Sequence, residues 1–124
     1  MIVTMGGRVL VVDDDEGIRE FVGMALADEG YEVVLASHGA DALELARQHP
    51  PAIILLDMRM PIMDGWEFAR TYRQRPGPHA PIVVLTAARD AAERAAQIAA
   101  EAVLSKPFQL ADLLSLVGQY AAPQ

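Results

Sequence analysis

The run Ala52–Leu56, AIILL, is the most hydrophobic strand-like stretch of the chain, and it leads directly into Asp57. A short apolar run that is rich in Ile and Leu and ends in a polar residue is typical of a strand buried on both faces. Such strands occur in parallel sheets that helices cover from each side. The stretch therefore predicts a parallel α/β sheet, with Asp57 at the carboxyl end of its most buried strand.

Similar apolar runs alternate with helix-like periodicity along the rest of the chain. The predicted strands are Arg8–Val12, Tyr31–Ala36, Ala52–Leu56, Pro81–Leu85 and Ala102–Ser105. The predicted helices are Glu16–Glu29, Asp41–Gln48, Asp64–Arg75, Arg89–Ala100 and Gln109–Tyr120. Strands and helices in this alternation predict an α/β fold in which helices cover both faces of a five-stranded parallel sheet.

Two of the predicted helices offer very different side chains to the sheet. The first carries five apolar residues at the spacing of one helical face: Ile18, Phe21, Val22, Ala25 and Leu26. That spacing predicts that all five pack against the sheet. The fourth helix is dominated by alanine and has little bulk except Ile98. Alanine favours helix formation but buries little area, so we expect this helix to be loosely docked.

Length and composition indicate one folded domain. The chain has 124 residues, of which 52% are hydrophobic, and it contains no cysteine. This length suits a single domain over residues 1–124, with a core over about residues 7–120. The apolar content excludes a disordered chain. The absence of cysteine excludes disulfides, thiolate metal sites and cysteine nucleophiles.

Charge and hydropathy limit the expected partners and compartment. The formal net charge is −7 with no basic patch, which argues against direct nucleic-acid binding by this chain. No apolar run reaches the roughly 18 residues of a membrane span, so no membrane partner is expected. Residues 1–7 lack the basic start and apolar core of a signal peptide, and a cytoplasmic location is therefore expected. A homodimer is compatible with the sequence, which does not decide the oligomeric state.

Polar residues follow four of the five predicted strands. Asp13 and Asp14 follow the first strand, and Asp57 follows the third. Thr86 follows the fourth, and Lys106, the only lysine of the chain, follows the fifth. The carboxyl ends of parallel strands meet at one edge, where ligands bind in open α/β sheets. We therefore expect these five side chains to lie close together.

Two interpretations of these strand-end residues compete. Aspartate or threonine after a strand often caps the next helix, which accounts for one or two of them. Capping does not explain Asp13 and Asp14 together, nor Asp57, because Met60-Pro61 block an immediate helix. Clustered carboxylates repel one another by about 4 kcal/mol per close pair in a partly screened site. The cluster thus predicts a compensating cation, and ligands that are all oxygen favour Mg²⁺ over zinc.

A divalent ion, a lysine and a hydroxyl around a carboxylate suit a phosphoryl group. The metal and Lys106 would neutralise the phosphoryl oxygens, and Thr86 would donate a hydrogen bond to one of them. A carboxylate can itself be the nucleophile and form an acyl phosphate. Asp57 is the best placed for this role, at the end of the most buried strand.

Four segments of the chain closely resemble the receiver domain of two-component response regulators. They are VLVVDDDEGIRE (9–20), IILLDMRMPIMDGWEF (53–68), PIVVLTA (81–87) and LSKPF (104–108). The segments are spread over nearly the whole chain, and their order and spacing are specific in combination. The resemblance implies a flavodoxin-like (βα)₅ three-layer sandwich of CheY-like architecture, with strand order 2-1-3-4-5.

The resemblance also implies a role for each site residue. Asp57 would be the phosphoacceptor, with Thr86 and Lys106 contacting the phosphoryl group. Mg²⁺ would be held by the set Asp13, Asp14, Asp57 and the backbone carbonyl of Arg59. Met58 and Ala87 would offer backbone N–H groups, and the Lys106-Pro107 bond would be cis.

The same family implies partners and excludes a turnover enzyme. The phosphodonor would be a histidine kinase or a histidine phosphotransfer protein, meeting the first helix and the loop after Lys106. The output protein or domain is unknown, and it would meet the face made by the fourth and fifth helices with the fifth strand. Only Mg²⁺-dependent self-phosphorylation and autodephosphorylation are implied. The sequence does not decide between a stand-alone receiver and part of a longer regulator.

One position departs from the family pattern. Three residues before the lysine, where receivers often have Tyr or Phe that rotates inward on activation, this chain has Val103. We interpret Val103 as a strand residue that fills the core. We expect activation to change the order of the fourth helix instead of rotating an aromatic ring.

Two other functions are compatible with parts of this pattern. A phosphohydrolase of the haloacid dehalogenase type has a general-acid Asp two residues after its nucleophile, but Arg59 stands there and cannot supply a proton near neutral pH. A phosphorylation-independent, receiver-like interaction module is the main alternative. The joint presence of the acidic pair, Asp57, Thr86 and Lys106 argues against it.

Overall fold

The computed structural model of the protein describes residues 7–87 and 91–121. Strands and helices alternate through these residues. The strands are β1 Arg8–Val12, β2 Glu32–Ala36, β3 Ile53–Asp57, β4 Ile82–Ala87 and β5 Ala102–Lys106. The helices are α1 Glu16–Asp28, α2 Gly39–Gln48, α3 Gly65–Gln74, α4 Ala91–Gln97 and α5 Leu110–Tyr120.

The strands form one parallel sheet in the order β2-β1-β3-β4-β5. The register aligns Val12 of β1 with Leu56 of β3, and Asp57 of β3 with Leu85 of β4. The predicted flavodoxin-like sandwich and its strand order 2-1-3-4-5 are confirmed. β2 is added on one side of β1, and β3 is added on the other side. The order of strand addition therefore reverses between the neighbouring strands β1 and β3, whose carboxyl ends lie side by side at this switch point.

Two apolar cores lie on opposite faces of this sheet, and β3 contributes to both. Ile54 and Leu56 pack in the core beneath α2, α3 and α4. Ile53 and Leu55 pack in the core beneath α1 and α5. All four side chains are fully buried, which explains why this strand lacks the alternation of an exposed sheet.

Several element boundaries differ from the prediction for identifiable reasons. Asp57 and Thr86 lie within β3 and β4, because the parallel pairing continues beyond the apolar run. Asp64 precedes α3 as its cap and accepts a hydrogen bond from the Glu67 amide at 2.9 Å. His38 caps α2 in the same way, so this helix begins earlier than predicted.

The fourth helix also departs from its predicted span. It ends at Gln97, three residues before the predicted end at Ala100, and Ala99 adopts a positive φ of 51°. A residue in the left-handed region interrupts the helical path, which explains the earlier end. The predicted start at Arg89 lies outside the described residues.

The prediction that Phe21 faces the core is wrong, because its side chain is 54% exposed. The buried residues of α1 are Val22, Gly23 and Leu26. Gly23 lies so close to β2 that an added Cβ would stand 3.2 Å from Leu35 Cδ2. The buried face of α1 thus includes Gly23 and leaves Phe21 at its exposed edge.

Gly65, the first residue of α3, lies against the backbone of β3 and the loop that follows it. Its amide donates to the carbonyl of Met58 at 3.0 Å. An added Cβ would stand 2.8 Å from Met58 Cα and 2.9 Å from the Asp57 carbonyl oxygen. Backbone atoms cannot move aside as a flexible side chain can, so this position requires glycine.

We predict that Gly65→Ala lowers the free energy of unfolding by about 1–3 kcal/mol, the usual cost of overpacking. Gly118→Ala in α5 is the matched control. The nearest atom to its added Cβ is the Tyr31 hydroxyl at 3.8 Å, and alanine favours the helix by up to about 1 kcal/mol. Urea unfolding of both variants measures the difference. Equal stabilities of the two variants would contradict the close contact at Gly65.

Candidate functional site

Three carboxylates converge at the carboxyl edge of the sheet. Because Val12 and Leu56 are register partners, the next residues of the two strands, Asp13 and Asp57, are neighbours. One oxygen each of Asp13, Asp14 and Asp57 lies within 4.8 Å of the others. Asp13 and Asp57 are buried, and Asp14 is exposed at the rim. The predicted clustering of these residues is therefore present in the structure.

Lys106 delivers a positive charge to the same cluster from the end of β5. Its Nζ lies 2.7 Å from Asp13 Oδ2 and 3.8 Å from Asp57 Oδ1. The Lys106-Pro107 bond that follows is cis, as the resemblance to receiver domains implies. One ammonium thus faces two buried carboxylates and offsets part of their mutual repulsion, leaving a net negative charge at the edge.

Backbone contacts hold Asp13 in place. Its Oδ1 accepts from the Asp15 amide at 2.9 Å, and its own amide donates to the Ala36 carbonyl at 3.1 Å. The guanidinium of Arg19 in α1 donates to the Asp13 carbonyl at 2.8 Å. Sequence reasoning missed Arg19, because an arginine on a helix gives no signal that it reaches back to a strand end.

Asp57 is buried beside Asp13 at the end of β3. Its Oδ1 accepts a weak hydrogen bond from the Arg59 amide at 3.4 Å. Burial, followed by the neighbouring charge of Asp13, raises the pKa of Asp57 from 3.8 to about 7, although Lys106 acts in the opposite direction. In the absence of a dication, this carboxyl group therefore titrates near neutral pH.

The remaining predicted residues lie at the same edge of the sheet. Thr86 is buried in β4, one position beyond Leu85, the register partner of Asp57. Ala87 is paired with Lys106 in the sheet. Met58 is buried, whereas the side chain of Arg59 is exposed. The register thus places Thr86 and Ala87 at the same edge of the sheet as the acidic cluster.

A shallow cleft opens beside the acidic cluster. Its lining residues are Asp14, Met58, Arg59, Met60, Pro61, Asp64 and Trp66. They come from the ends of β1 and β3 and from the start of α3. A small polar ligand at the carboxylates would therefore contact the loop that links β3 to α3.

A comparison with family models matches residues 9–118 to the response regulator receiver domain. The chain belongs to this family. Response regulator MprA of Mycobacterium sp. strain KMS is 44% identical over 110 residues, which are 87% of this chain and 47% of that protein. MprA of Mycobacterium leprae is 42% identical over 112 residues, 89% of this chain and 49% of that protein. The chain spans about half the length of these relatives.

Solved receiver structures share the fold closely. Chemotaxis response regulator CheY4 of Vibrio cholerae superposes with a TM-score of 0.83 at 34% identity, covering 91% of this chain and 97% of that one. The receiver domain of the sensor histidine kinase PA1611 from Pseudomonas aeruginosa gives a TM-score of 0.84 at 30% identity, covering 93% and 97%. The latter structure holds a magnesium ion in its active-site cleft. The protein is thus a CheY-like receiver domain of the two-component type.

The donor set of this receiver domain fits a hard divalent cation. Every side chain in the cluster offers oxygen, and two of the three carboxylates are withdrawn from water. Such a set suits Mg²⁺, which prefers carboxylates and water at an accessible position. The exposed Asp14 and the open cleft leave room for water ligands.

Among the helices of the described residues, none is long and apolar enough to cross a lipid bilayer.

The raised pKa of Asp57 predicts how stability depends on pH without divalent ions. A carboxyl group with a higher pKa in the folded state binds more protons there than in the unfolded chain. Ionising this group therefore lowers the free energy of unfolding. The loss is absent below the ordinary pKa, grows between about pH 4 and pH 7, and is complete above pH 7. Removing the charge of Asp57 should therefore stabilise the metal-free domain at alkaline pH.

We predict that Asp57→Asn raises the free energy of unfolding at pH 8 in EDTA, on the order of 2 kcal/mol, and by much less at pH 5. Asp28→Asn, at an exposed position of α1, is the matched control and should change little at either pH. Urea titrations at the two pH values measure the difference. A gain for Asp57→Asn that does not depend on pH would show that this carboxyl group titrates normally.

Proposed function

We propose that the chain is a phosphoacceptor that switches partner binding when Asp57 is phosphorylated. The observation that carries this proposal is the convergence of three carboxylates at a strand edge, two of them facing one ammonium. A surface that only binds a protein has no need of buried, mutually repelling charges, which cost stability. A site for a phosphoryl group and a dication requires this arrangement.

The phosphodonor in this proposal is the phosphohistidine of a histidine kinase or phosphotransfer protein. A carboxylate oxygen of Asp57 attacks the phosphorus, and an O–P bond forms as the P–N bond breaks. The electron pair of the broken bond leaves with the imidazole nitrogen, which takes up a proton. Asp57 must be ionised to attack, and Lys106, whose Nζ is 3.8 Å from Asp57 Oδ1, favours that form.

The other side chains would stabilise the transferring group. Lys106 would release part of its contact with Asp13 and pair with a phosphoryl oxygen, and Thr86 would donate a hydrogen bond to another. Asp13, Asp14, Asp57 and the Arg59 carbonyl would hold Mg²⁺. When bound, Mg²⁺ supplies charge neutralisation for the equatorial oxygens. The amides of Met58 and Ala87 would add backbone donors.

The wider partners follow from the kinds of protein that resemble this chain. MprA proteins are response regulators about twice as long as the chain, and the PA1611 domain belongs to a sensor histidine kinase. Both architectures connect a receiver to a further element. We propose that phosphorylation alters the face made by α4, β5 and α5, and that an output protein or domain reads this face.

We predict that incubation with acetyl phosphate and Mg²⁺ adds one phosphoryl group to the protein, as measured by intact mass. Asp57→Asn should abolish the gain, whereas Asp28→Asn, the same change at an exposed position, should retain it. EDTA should also abolish it. An unchanged mass of the wild-type protein would favour a phosphorylation-independent interaction module. Turnover of a small phosphate ester such as p-nitrophenyl phosphate would instead indicate a phosphohydrolase.

We also predict that Mg²⁺ binds more tightly as pH rises through 7. The proton and the metal compete for Asp57, whose pKa lies at about 7 in the metal-free protein. The dissociation constant measured by calorimetry should fall about tenfold between pH 6 and pH 8. A constant value over this range would show that Asp57 does not compete for the metal.

A further inference from the structure

The described part of α4 and the turn after it pack on the core mainly through alanine. Much of the helix and the turn that follows it consists of alanine, and its larger buried residues are Arg94 and Ile98, each 8% exposed. Small side chains make few dispersion contacts. The few larger side chains therefore matter most for holding α4 in place.

Trp66 of α3 contacts two side chains of α4. The indole Nε1 of Trp66, the only tryptophan of the chain, donates to Gln97 Oε1 at 2.6 Å. The guanidinium of Arg94 lies over the Trp66 ring, 5.0 Å from its centroid. One α3 side chain thus contacts two successive turns of α4. We name Trp66, Arg94 and Gln97 the α3–α4 latch.

A second contact from α3 holds the segment after α4. The guanidinium of Arg73 donates to the carbonyls of Ile98 and Ala99, and it lies 3.5 Å from Glu101 Oε1. Glu101 in turn accepts from the Ile82 amide at the start of β4, at 2.9 Å. This contact anchors the segment after α4 to the sheet.

Trp66 also borders the cleft beside the acidic cluster. It lines the cleft with Asp14 and Arg59, and on its other side it lines a depression with Glu93, Arg94 and Gln97. Its neighbour Gly65 is bonded to the carbonyl of Met58, the residue after Asp57. A rearrangement of the loop after β3 would therefore reach Trp66 directly.

We propose that the α3–α4 latch is a conformational device that holds α4 in its resting position and releases it when the loop after Asp57 rearranges. The release step rests on the proposed phosphorylation of Asp57, whereas the holding step does not. The latch connects the acidic cluster to α4 without an aromatic residue at position 103, where this chain has valine.

The holding step is tested on the full chain without Mg²⁺ or phosphodonor. Gln97→Leu removes the acceptor at an exposed position, Gln97→Glu keeps an acceptor oxygen, and Gln119→Leu makes the same change on exposed α5. Loss of one hydrogen bond in Gln97→Leu should speed amide exchange in α4 about fivefold and increase acrylamide quenching of Trp66. Gln97→Glu and Gln119→Leu should resemble the wild type. Unchanged exchange and quenching in Gln97→Leu would overturn the proposal.

The release step is tested by phosphorylating the same proteins with acetyl phosphate and Mg²⁺, with the phosphorylated fraction read by intact mass. In the wild type, phosphorylation should increase both Trp66 quenching and α4 exchange. In Gln97→Leu the mass gain should be the same, but the additional change in α4 exchange should be smaller, because the helix is already released. A phosphorylated wild type with unchanged quenching and exchange would show that the contact is static packing, which overturns the device.

The two proposals fail in distinguishable ways. If the wild type gains no mass, the phosphoacceptor function fails and the release step fails with it. The comparison of Gln97→Leu with Gln97→Glu in the unphosphorylated proteins still decides whether the latch holds α4. If the mass gain occurs at Asp57 and Gln97→Leu exchanges like the wild type, the phosphoacceptor function stands and the latch is wrong.

Discussion

The arrangement of this domain depends on one electrostatic constraint, the repulsion between carboxylates that the sheet register places side by side. Asp13 and Asp57 follow paired positions of β1 and β3, so the sheet register keeps their backbones adjacent. Both are buried, and a single ammonium, that of Lys106, lies between them. The fold thus maintains a concentrated negative charge that a divalent cation would relieve.

The two-sided core supplies the rigidity that this constraint requires. Buried β3 residues pack against helices on both faces, and Asp57 extends that strand by one residue. The loop after Asp57 is closed against α3 by the contact between Gly65 and Met58. By contrast, α4 and the turn after it pack on the core mainly through alanine and Ile98, and Arg94 and Gln97 contact α3. The two-sided core therefore holds the site, whereas the small side chains of α4 make fewer dispersion contacts with the sheet.

The strands and the acidic cluster can be predicted from the sequence, because they depend on the spacing of apolar residues and on the residues that follow each strand. Apolar runs located the strands, and the acidic residues that follow them located the cluster, because parallel strands end at a common edge. The prediction for α1 fails at Phe21, since the close approach of Gly23 to β2 is a tertiary effect. Arg19, the His38 cap and the Trp66–Gln97 contact join residues whose pairing leaves no periodic signal. Contacts of this kind require coordinates.

The most direct test of the electrostatic account is the stability of Lys106→Met with and without Mg²⁺, measured by urea unfolding at pH 8. In EDTA, loss of the ammonium leaves the carboxylates uncompensated, and the free energy of unfolding should fall by about 2–4 kcal/mol. Saturating Mg²⁺ should restore a substantial part of that loss, because a dication at the carboxylates replaces the missing charge. An equal loss with and without Mg²⁺ would contradict the account, since it would show that charge crowding at Asp13 and Asp57 is not what the cation relieves.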